Sequence, residues 1–204
     1  MDKDPYVETA KHLATYFGEA AEEIYENEGS VEPVLLLLDD DGLGLLMHPS
    51  RLMREHPGEA SALIIAVVGK MLPVRFIGFI VESFMKSFDK DDSQARDIQR
   101  GDLTEWAEVD PDVRTAICTT MWDVKARNDS FCRLATVKGD PRQCEWDIAE
   151  IDGPSEGYID DMFTRAFASA PLLEHRPPED VAVALMKTGL VSGAMLMEPR
   201  DDRG

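Results

Sequence analysis

The chain has 204 residues, with 40 Asp and Glu against 21 Lys and Arg, which gives a formal net charge of −19. Apolar residues make up 44% of it, a share typical of globular domains that argues against a disordered acidic tail. No segment approaches the roughly 20 uninterrupted apolar residues of a membrane span. Residues 1–5 lack the basic and apolar parts of a signal peptide. These features predict a single cytoplasmic domain with no membrane association.

The negative charge also restricts the class of partner. Nucleic-acid-binding proteins neutralise phosphates with clustered Lys and Arg, and the densest pair here, Arg51 and Arg54, stands beside a glutamate. We therefore expect no direct binding of nucleic acid or of anionic lipid. A protein partner with a basic surface is favoured electrostatically, although an acidic surface also serves solubility alone.

The first half of the chain alternates helical and strand patterns. Residues 5–28 repeat apolar side chains at helical spacing, with Asp4 as the expected N-cap and Gly29 as the expected end. Two apolar runs, residues 34–38 and 43–47, flank an Asp-Gly turn and predict a β-hairpin. Residues 58–72 are apolar nearly all round, which predicts a buried helix.

A long strand and an acidic insertion come next. Residues 74–88 are rich in β-branched and aromatic side chains, which favours a strand. Residues 89–112 then hold nine acids and three bases, which predicts an exposed insertion with Trp106 as its apolar anchor. The interface residues predicted in it are Asp89, Asp91, Asp92, Glu105, Glu108 and Trp106.

The second half predicts a β-meander followed by helices. Strands are expected at 113–123, 131–138 and 143–151, helices at 155–168 and 178–188, and a short strand within 191–197. The predicted fold is α+β, a mostly antiparallel sheet of about six strands packed against three to four helices. We expect one domain over residues 1–204. Its segments are an N-terminal helix (1–30), a hairpin–helix–strand unit (33–88), the insertion (89–112), the meander (113–151) and C-terminal helices (155–190).

Glu82 is the carboxylate most suggestive of a pocket or a buried ion pair. It interrupts the apolar strand, where a carboxylate is costly unless it is paired. Arg75 and Arg114 are the candidate partners. His48, at a predicted strand end, is the histidine most open to a functional role. The segment His48-Pro49-Ser50 resembles part of the metal site of JAB-type peptidases, although Leu46 stands where they carry a further histidine ligand.

The sequence was also searched for catalytic motifs, metal-binding cysteines and cation-binding carboxylates. The chain contains no phosphate-binding loop, nucleophile elbow or dinucleotide-binding glycine motif. Cys118, Cys132 and Cys144 fall on the three meander strands and could cluster, but their spacing lacks a C-x₂-C element. The run Asp39-Asp40-Asp41 fits turn chemistry better than cation binding. We expect no metal and no cofactor.

One resemblance covers about a third of the chain. Residues 79–88, the acidic insertion and the segment Asp110-Pro111-Asp112-Val113-Arg114-Thr115-Ala116 resemble a layout in uncharacterised small α+β proteins of bacteria and phages, with Glu82-Ser83-Phe84 at the strand end. The resemblance implies a phage or bacterial accessory factor and implies no activity.

Three functional hypotheses follow. The first is a non-enzymatic protein that binds another protein, with homo-oligomerisation also open. The second is an acidic mimic of nucleic acid that blocks a DNA-binding protein. It is suggested by three acidic patches: residues 1–30 with eight acids and two bases, residues 89–112, and residues 145–161 with seven acids and no base. The third is an enzyme with a pocket around Glu82.

Overall fold

In the part of the chain that it describes, the computed structural model has three helices and seven strands with defined bounds. The helices are α1 (Ala10–Glu28), α2 (Glu59–Met71) and α3 (Pro178–Thr188). The strands are β1 (Val34–Leu38), β2 (Gly44–Met47), β3 (Phe76–Met85), β4 (Arg114–Asp123), β5 (Ser130–Lys138), β6 (Glu145–Asp152) and β7 (Ala194–Met197). The structure describes residues 9–40, 44–49, 51–52, 59–85, 114–126, 130–138, 145–152, 166, 168–171, 173–189, 191 and 193–197.

The strands form one sheet in the order β6-β5-β4-β3-β1-β2-β7. Every neighbouring pair is antiparallel. This confirms the predicted α+β class. The sheet has seven strands against the predicted six or so, and the seventh is the short strand expected within residues 191–197, which pairs with β2 as β7. Of the regions analysed from sequence, residues 86–113, which include the acidic insertion, lie outside the described residues, as do residues 153–165, which hold most of the helix predicted at 155–168.

Helix α1 begins at Ala10 rather than near Pro5. Thr9 has an extended backbone, and its hydroxyl accepts a hydrogen bond from the His12 amide, so Thr9 and not Asp4 is the N-cap. The predicted end is confirmed: Gly29 adopts φ 80° and donates its amide to the Tyr25 carbonyl.

Helix α1 packs over β4 and β5 and the neighbouring part of β3. We call this side of the sheet the α1 face. Its core joins apolar side chains of the helix, such as Leu13, Phe17 and Tyr25, to sheet residues that include Met121 and Phe131. The alternation of strand side chains places residues 117, 119 and 121 of β4 and residues 131, 133 and 135 of β5 on this face.

Helices α2 and α3 cover the opposite side of the sheet over β1 and β2. We call that side the α2–α3 face. Ile65, Val68 and Val181 from the helices pack there against Leu37 and Leu45. Strand β1 lies between the two layers, with Leu35 and Leu37 on one face and Leu36 and Leu38 on the other. Its unbroken apolar sequence is explained by burial on both faces, as predicted.

Candidate functional site

Two of the three acidic patches meet in the folded chain. Strand β6 is an edge strand of the described sheet, and α1 lies across the strand next to it. The described parts of residues 1–30 and residues 145–161 therefore adjoin. The third patch, with the predicted interface residues Asp89, Asp91, Asp92, Glu105, Glu108 and Trp106, lies outside the described residues.

Direct side-chain contacts join α1 to β6. Lys11 Nζ lies 2.8 Å from Glu150 Oε2. The indole nitrogen of Trp146 donates a hydrogen bond of 2.7 Å to Glu26 Oε1. The Trp146 ring also meets the Tyr25 ring edge-to-face, with centroids 5.8 Å apart. An ion pair, a hydrogen bond and an aromatic contact thus fix the side chains of the edge strand against the helix.

Three of the four exposed acids of α1, Glu19, Glu23 and Glu26, lie on the side of the helix next to β6. Glu26 contacts β6 directly, and Glu22 contacts β5. Glu19 and Glu23 precede these two residues by three positions and are therefore their neighbours on the helix surface. Both are exposed. We call the exposed set Glu19, Glu23, Glu26 and Glu150, together with Trp146 and Ile148, the α1–β6 acidic surface.

A buried ion pair lies beneath this surface. Arg133 on β5 donates from Nε to Glu22 Oε1 at 3.0 Å and from Nη2 to Glu22 Oε2 at 3.2 Å. The side chains are only 10% and 12% exposed. A Cβ at Gly18 would lie 2.7 Å from Arg133 Cδ, so the absence of a side chain at Gly18 lets the arginine pass under the helix. Glu22 therefore holds the helix to the sheet.

Sequence reasoning did not identify the Arg133–Glu22 pair. The signal was present in the strand, because Phe131, Arg133, Ala135 and Val137 alternate with the other side chains of β5 and share the face that α1 covers. An arginine in such a series requires an acidic partner on the covering element. Glu22 is the acid that α1 provides, and Gly18 one turn earlier marks where the arginine stem passes.

Glu82, His48 and Arg114 all lie toward the end of the sheet where β1 begins. The Glu82 carboxylate accepts a hydrogen bond of 3.0 Å from the Val31 amide. His48 follows β2; its amide donates to the Gly193 carbonyl, and its Nδ1 lies 3.7 Å from Glu32 Oε2. Arg114 is exposed at the start of β4, opposite Met85. Glu82 and His48 thus each contact the segment that leads from α1 into β1.

Arg75, one of the predicted partners of Glu82, lies in a network at the other end of the sheet. It donates from Nε to Asp123 Oδ2 at 2.9 Å and from Nη1 to Asp40 Oδ1 at 3.3 Å. Lys125 also donates to Asp40, and this hydrogen bond is the main reason that the pKa of Asp40 is lowered. Asp40, just after β1, thus contacts the basic residues that precede β3 and follow β4, in line with a structural role for this acidic run. Asp41 lies outside the described residues.

Two of the three cysteines come together. Cys118 on β4 and Cys132 on β5 have their Sγ atoms 3.5 Å apart. Both lie on the α2–α3 face, whereas Cys144 lies outside the described residues. Among the residues that the structure places, no three His, Cys, Asp or Glu side chains are grouped so that they could hold a metal ion.

Within the described ranges, no helix is both long enough and apolar enough to cross a bilayer. The α1–β6 acidic surface consists of carboxylates on a helix and on an edge strand, arranged around a tryptophan and an isoleucine. Comparison of the chain with protein-family models, with curated proteins and with solved structures found no match.

Proposed function

We propose that this protein acts by binding another protein, and that the α1–β6 acidic surface is the contact face for a partner with a basic surface. The observation that carries this proposal is the convergence of two acidic patches, distant in sequence, through the Lys11–Glu150 and Trp146–Glu26 contacts.

The charged residues of these two elements are almost all negative. Helix α1 contains five acids and β6 four, against Lys11 as their one lysine or arginine, although strand alternation places Glu145 and Asp147 of β6 on the other face of the sheet. Lys11 is already engaged by Glu150, and Glu22 is neutralised by Arg133. The other exposed carboxylates create a negative potential that attracts a basic partner, speeds its association and disfavours acidic competitors.

The surface also has an apolar part next to the carboxylates. Trp146, Ile148 and Glu150 lie on the same face of β6, and Ile148 is 39% exposed. Tryptophan is among the residues that contribute most to binding at protein interfaces. Because Glu26 and Tyr25 already hold the indole in place, a partner would lose little side-chain entropy in contacting it. A basic partner with an apolar residue among its charges would fit this surface.

The test compares wild-type protein with two variants of equal charge change. The surface variant carries Glu19→Gln, Glu23→Gln and Glu26→Gln. The matched control carries Glu174→Gln, Glu179→Gln and Asp180→Asn, which are exposed in or near α3 on the other face of the sheet. Each protein is immobilised, and bound proteins are identified by mass spectrometry at about 0.15 M and about 1 M salt, where charges are screened over about 8 Å and 3 Å.

The expected result is a basic protein retained by the wild type and by the control but lost from the surface variant and at high salt. Thermal unfolding of all three proteins shows whether each remains folded. Equal retention by the two variants, or retention that salt does not alter, would place the contact elsewhere and overturn the proposal.

A narrower version of the same function is mimicry of nucleic acid. The adjoining carboxylates of α1 and β6 favour it, since acids presented on one surface can occupy a site that binds phosphates. In this version the retained partner is a nucleic-acid-binding protein, and duplex DNA displaces it from the wild-type chain. Retention unchanged by excess DNA would leave protein binding without mimicry.

A further inference from the structure

Cys118 and Cys132 form a close thiol pair on the α2–α3 face. Their Sγ atoms are 3.5 Å apart, and the Thr120 hydroxyl lies 3.6 Å from Cys118 Sγ. Neither cysteine forms a disulfide and both are of intermediate burial, so part of each side chain is accessible to small solutes. The ladder between β4 and β5 holds the two thiols together, which gives the pair a fixed geometry.

The register makes the pair diagonal rather than directly opposite. Cys118 is paired with Leu134, and Cys132 is paired with Thr120. Diagonal neighbours on adjacent strands are about 7–8 Å apart, at or beyond the usual Cα separation of about 4.4–6.8 Å in disulfides. Closing the sulfurs to about 2.05 Å would require a small shift of the strands. Such strained disulfides are easily reduced and belong to labile rather than structural pairs.

The surroundings of Cys118 favour its thiolate form. The hydrogen bond from the Cys132 thiol lowers the pKa of Cys118 to about 6; burial acts in the opposite direction, and Thr120 adds to the lowering. Val81 and Leu134 are the strand partners of Cys118. Among the side chains that the structure describes on β4, β5 and β6, strand alternation places three charged ones on the same face as Cys118. They are Arg114, Glu145 and Asp147. A thiolate is the nucleophilic form of cysteine, so Cys118 is suited to attack and Cys132 to follow.

We propose that Cys118 and Cys132 are a reversible dithiol–disulfide pair whose reaction partner is a small-molecule disulfide such as oxidised glutathione. The Cys118 thiolate attacks one sulfur of that disulfide; its S–S bond breaks, one thiolate leaves, and a mixed disulfide forms at Cys118. Cys132 then loses its proton to solvent and attacks Cys118 Sγ, and the second thiolate leaves. The two cysteines are oxidised by two electrons, and the small disulfide is reduced to two thiols.

This site is distinct from the proposed interface, because it lies on the opposite face of the sheet from α1. Neither proposal depends on the other. The small disulfide could also react at Cys144, so that residue provides the matched control. Its replacement, Cys144→Ser, removes a third thiol and leaves the Cys118–Cys132 pair intact.

The experiment incubates reduced protein with oxidised glutathione and maps the products by mass spectrometry of peptides. Wild type and Cys144→Ser are expected to form a Cys118–Cys132 disulfide, which excess reduced glutathione reverses. Cys132→Ser is expected to accumulate a mixed disulfide at Cys118, because no second thiol can resolve it. Cys118→Ser is expected to react at Cys132 at least about tenfold more slowly than wild type reacts at Cys118, since the activated thiolate is absent. Oxidation that maps to Cys144 without a Cys118–Cys132 disulfide, or Cys132→Ser protein without a mixed disulfide at Cys118, would overturn the proposal.

A second measurement needs no variant and therefore does not depend on folding of the serine mutants. Iodoacetamide alkylation of native wild-type protein is followed at each cysteine near neutral pH. Cys118 is expected to react at least about tenfold faster than the same thiol in denaturant-unfolded protein, because thiolate content determines the rate. An equal or slower rate in the native chain would contradict the assignment of Cys118 as the attacking thiol.

Discussion

Arg133 and Glu22 form a two-pronged ion pair between β5 and α1, with both side chains almost fully buried. The pair joins the helix that carries most of the acidic surface to the strand next to the β6 edge. It therefore connects the stability of the fold to the position of the candidate interface. Removal of either partner alone would leave the charge of the other uncompensated under the helix.

Glu22→Ala is expected to lower the free energy of unfolding by about 3 kcal/mol, because the Arg133 guanidinium would remain buried without its carboxylate. Chemical denaturation measures the change. Glu23→Ala, one residue along and exposed, is the control and should stay within about 0.5 kcal/mol of wild type. Glu22→Leu combined with Arg133→Met should recover most of the loss, since apolar residues of similar size replace such pairs well. A double variant as unstable as Glu22→Ala would contradict this account.

Gly18→Ala is expected to destabilise the protein, against the usual preference of a helix for alanine. In an exposed helix that replacement gains about 1 kcal/mol. Here the new Cβ would lie 2.7 Å from Cδ and 3.0 Å from Nε of Arg133, in the middle of the side chain rather than at its free end. Overpacking of this kind costs about 1–3 kcal/mol.

The sign of the Gly18 effect should depend on Arg133. In an Arg133→Ala background the obstructing atoms are gone, and Gly18→Ala should then stabilise the protein by up to about 1 kcal/mol relative to that background. Thermal or chemical unfolding of the four proteins completes the cycle. Stabilisation by Gly18→Ala in the wild-type background would show that the arginine moves aside without cost.

The two carboxylates that accept hydrogen bonds from Arg75 should contribute very different amounts to the free energy of unfolding. The Asp123 side chain has no exposed surface and accepts hydrogen bonds from Arg75 Nε and from the backbone amides of Lys125 and Ala126. Asp123→Ala leaves these donors without their acceptor and should cost about 3 kcal/mol. The Asp40 side chain is 54% exposed, so Asp40→Ala should cost less than about 1 kcal/mol. Similar losses for the two variants in denaturant unfolding would refute this difference.

The sequence predicted the apolar framework well because burial leaves a direct signal. The run Val34–Leu38 predicted a central strand and lies between two helical layers; the Pro178–Thr188 helix and the end of α1 at Gly29 are also confirmed. The start of α1 was missed. Asp4 before Pro5 is a strong local N-cap signal, but the helix instead uses the Thr9 hydroxyl.

The side-chain pairs could be predicted less well, because they depend on register. The sheet pairs Cys132 with Thr120, on the same face of β4 as Cys118. A shift of one residue in this register would move Cys132 to the other face of the sheet. The register therefore decides whether the two thiols meet, and the turn residues between the strands do not define it to within one residue. The approach of β6 to α1 depends on packing between elements far apart in the chain, which no local pattern encodes.

The close thiol pair predicts a pH-dependent contribution to stability. The pKa of Cys118 is lowered from 9.0 to about 6 in the folded chain, chiefly by the Cys132 hydrogen bond. Between these values the unfolded chain binds one proton more than the folded chain, so the free energy of unfolding rises with pH. This contribution is fully present above the unfolded pKa and is lost as the pH falls through about 6.

Reduced wild type should therefore gain stability over Cys118→Ser as the pH is raised from about 6 to about 8, measured by denaturant unfolding in the presence of a phosphine reductant. Cys132→Ala should lose much of this pH dependence while Cys118 is still present, because the donor that favours the thiolate is gone. Cys144→Ser is the control and should follow the wild-type curve. Parallel curves for wild type and Cys118→Ser over this range would show that Cys118 ionises alike in the folded and unfolded chains, and would remove the thiolate from the proposed exchange.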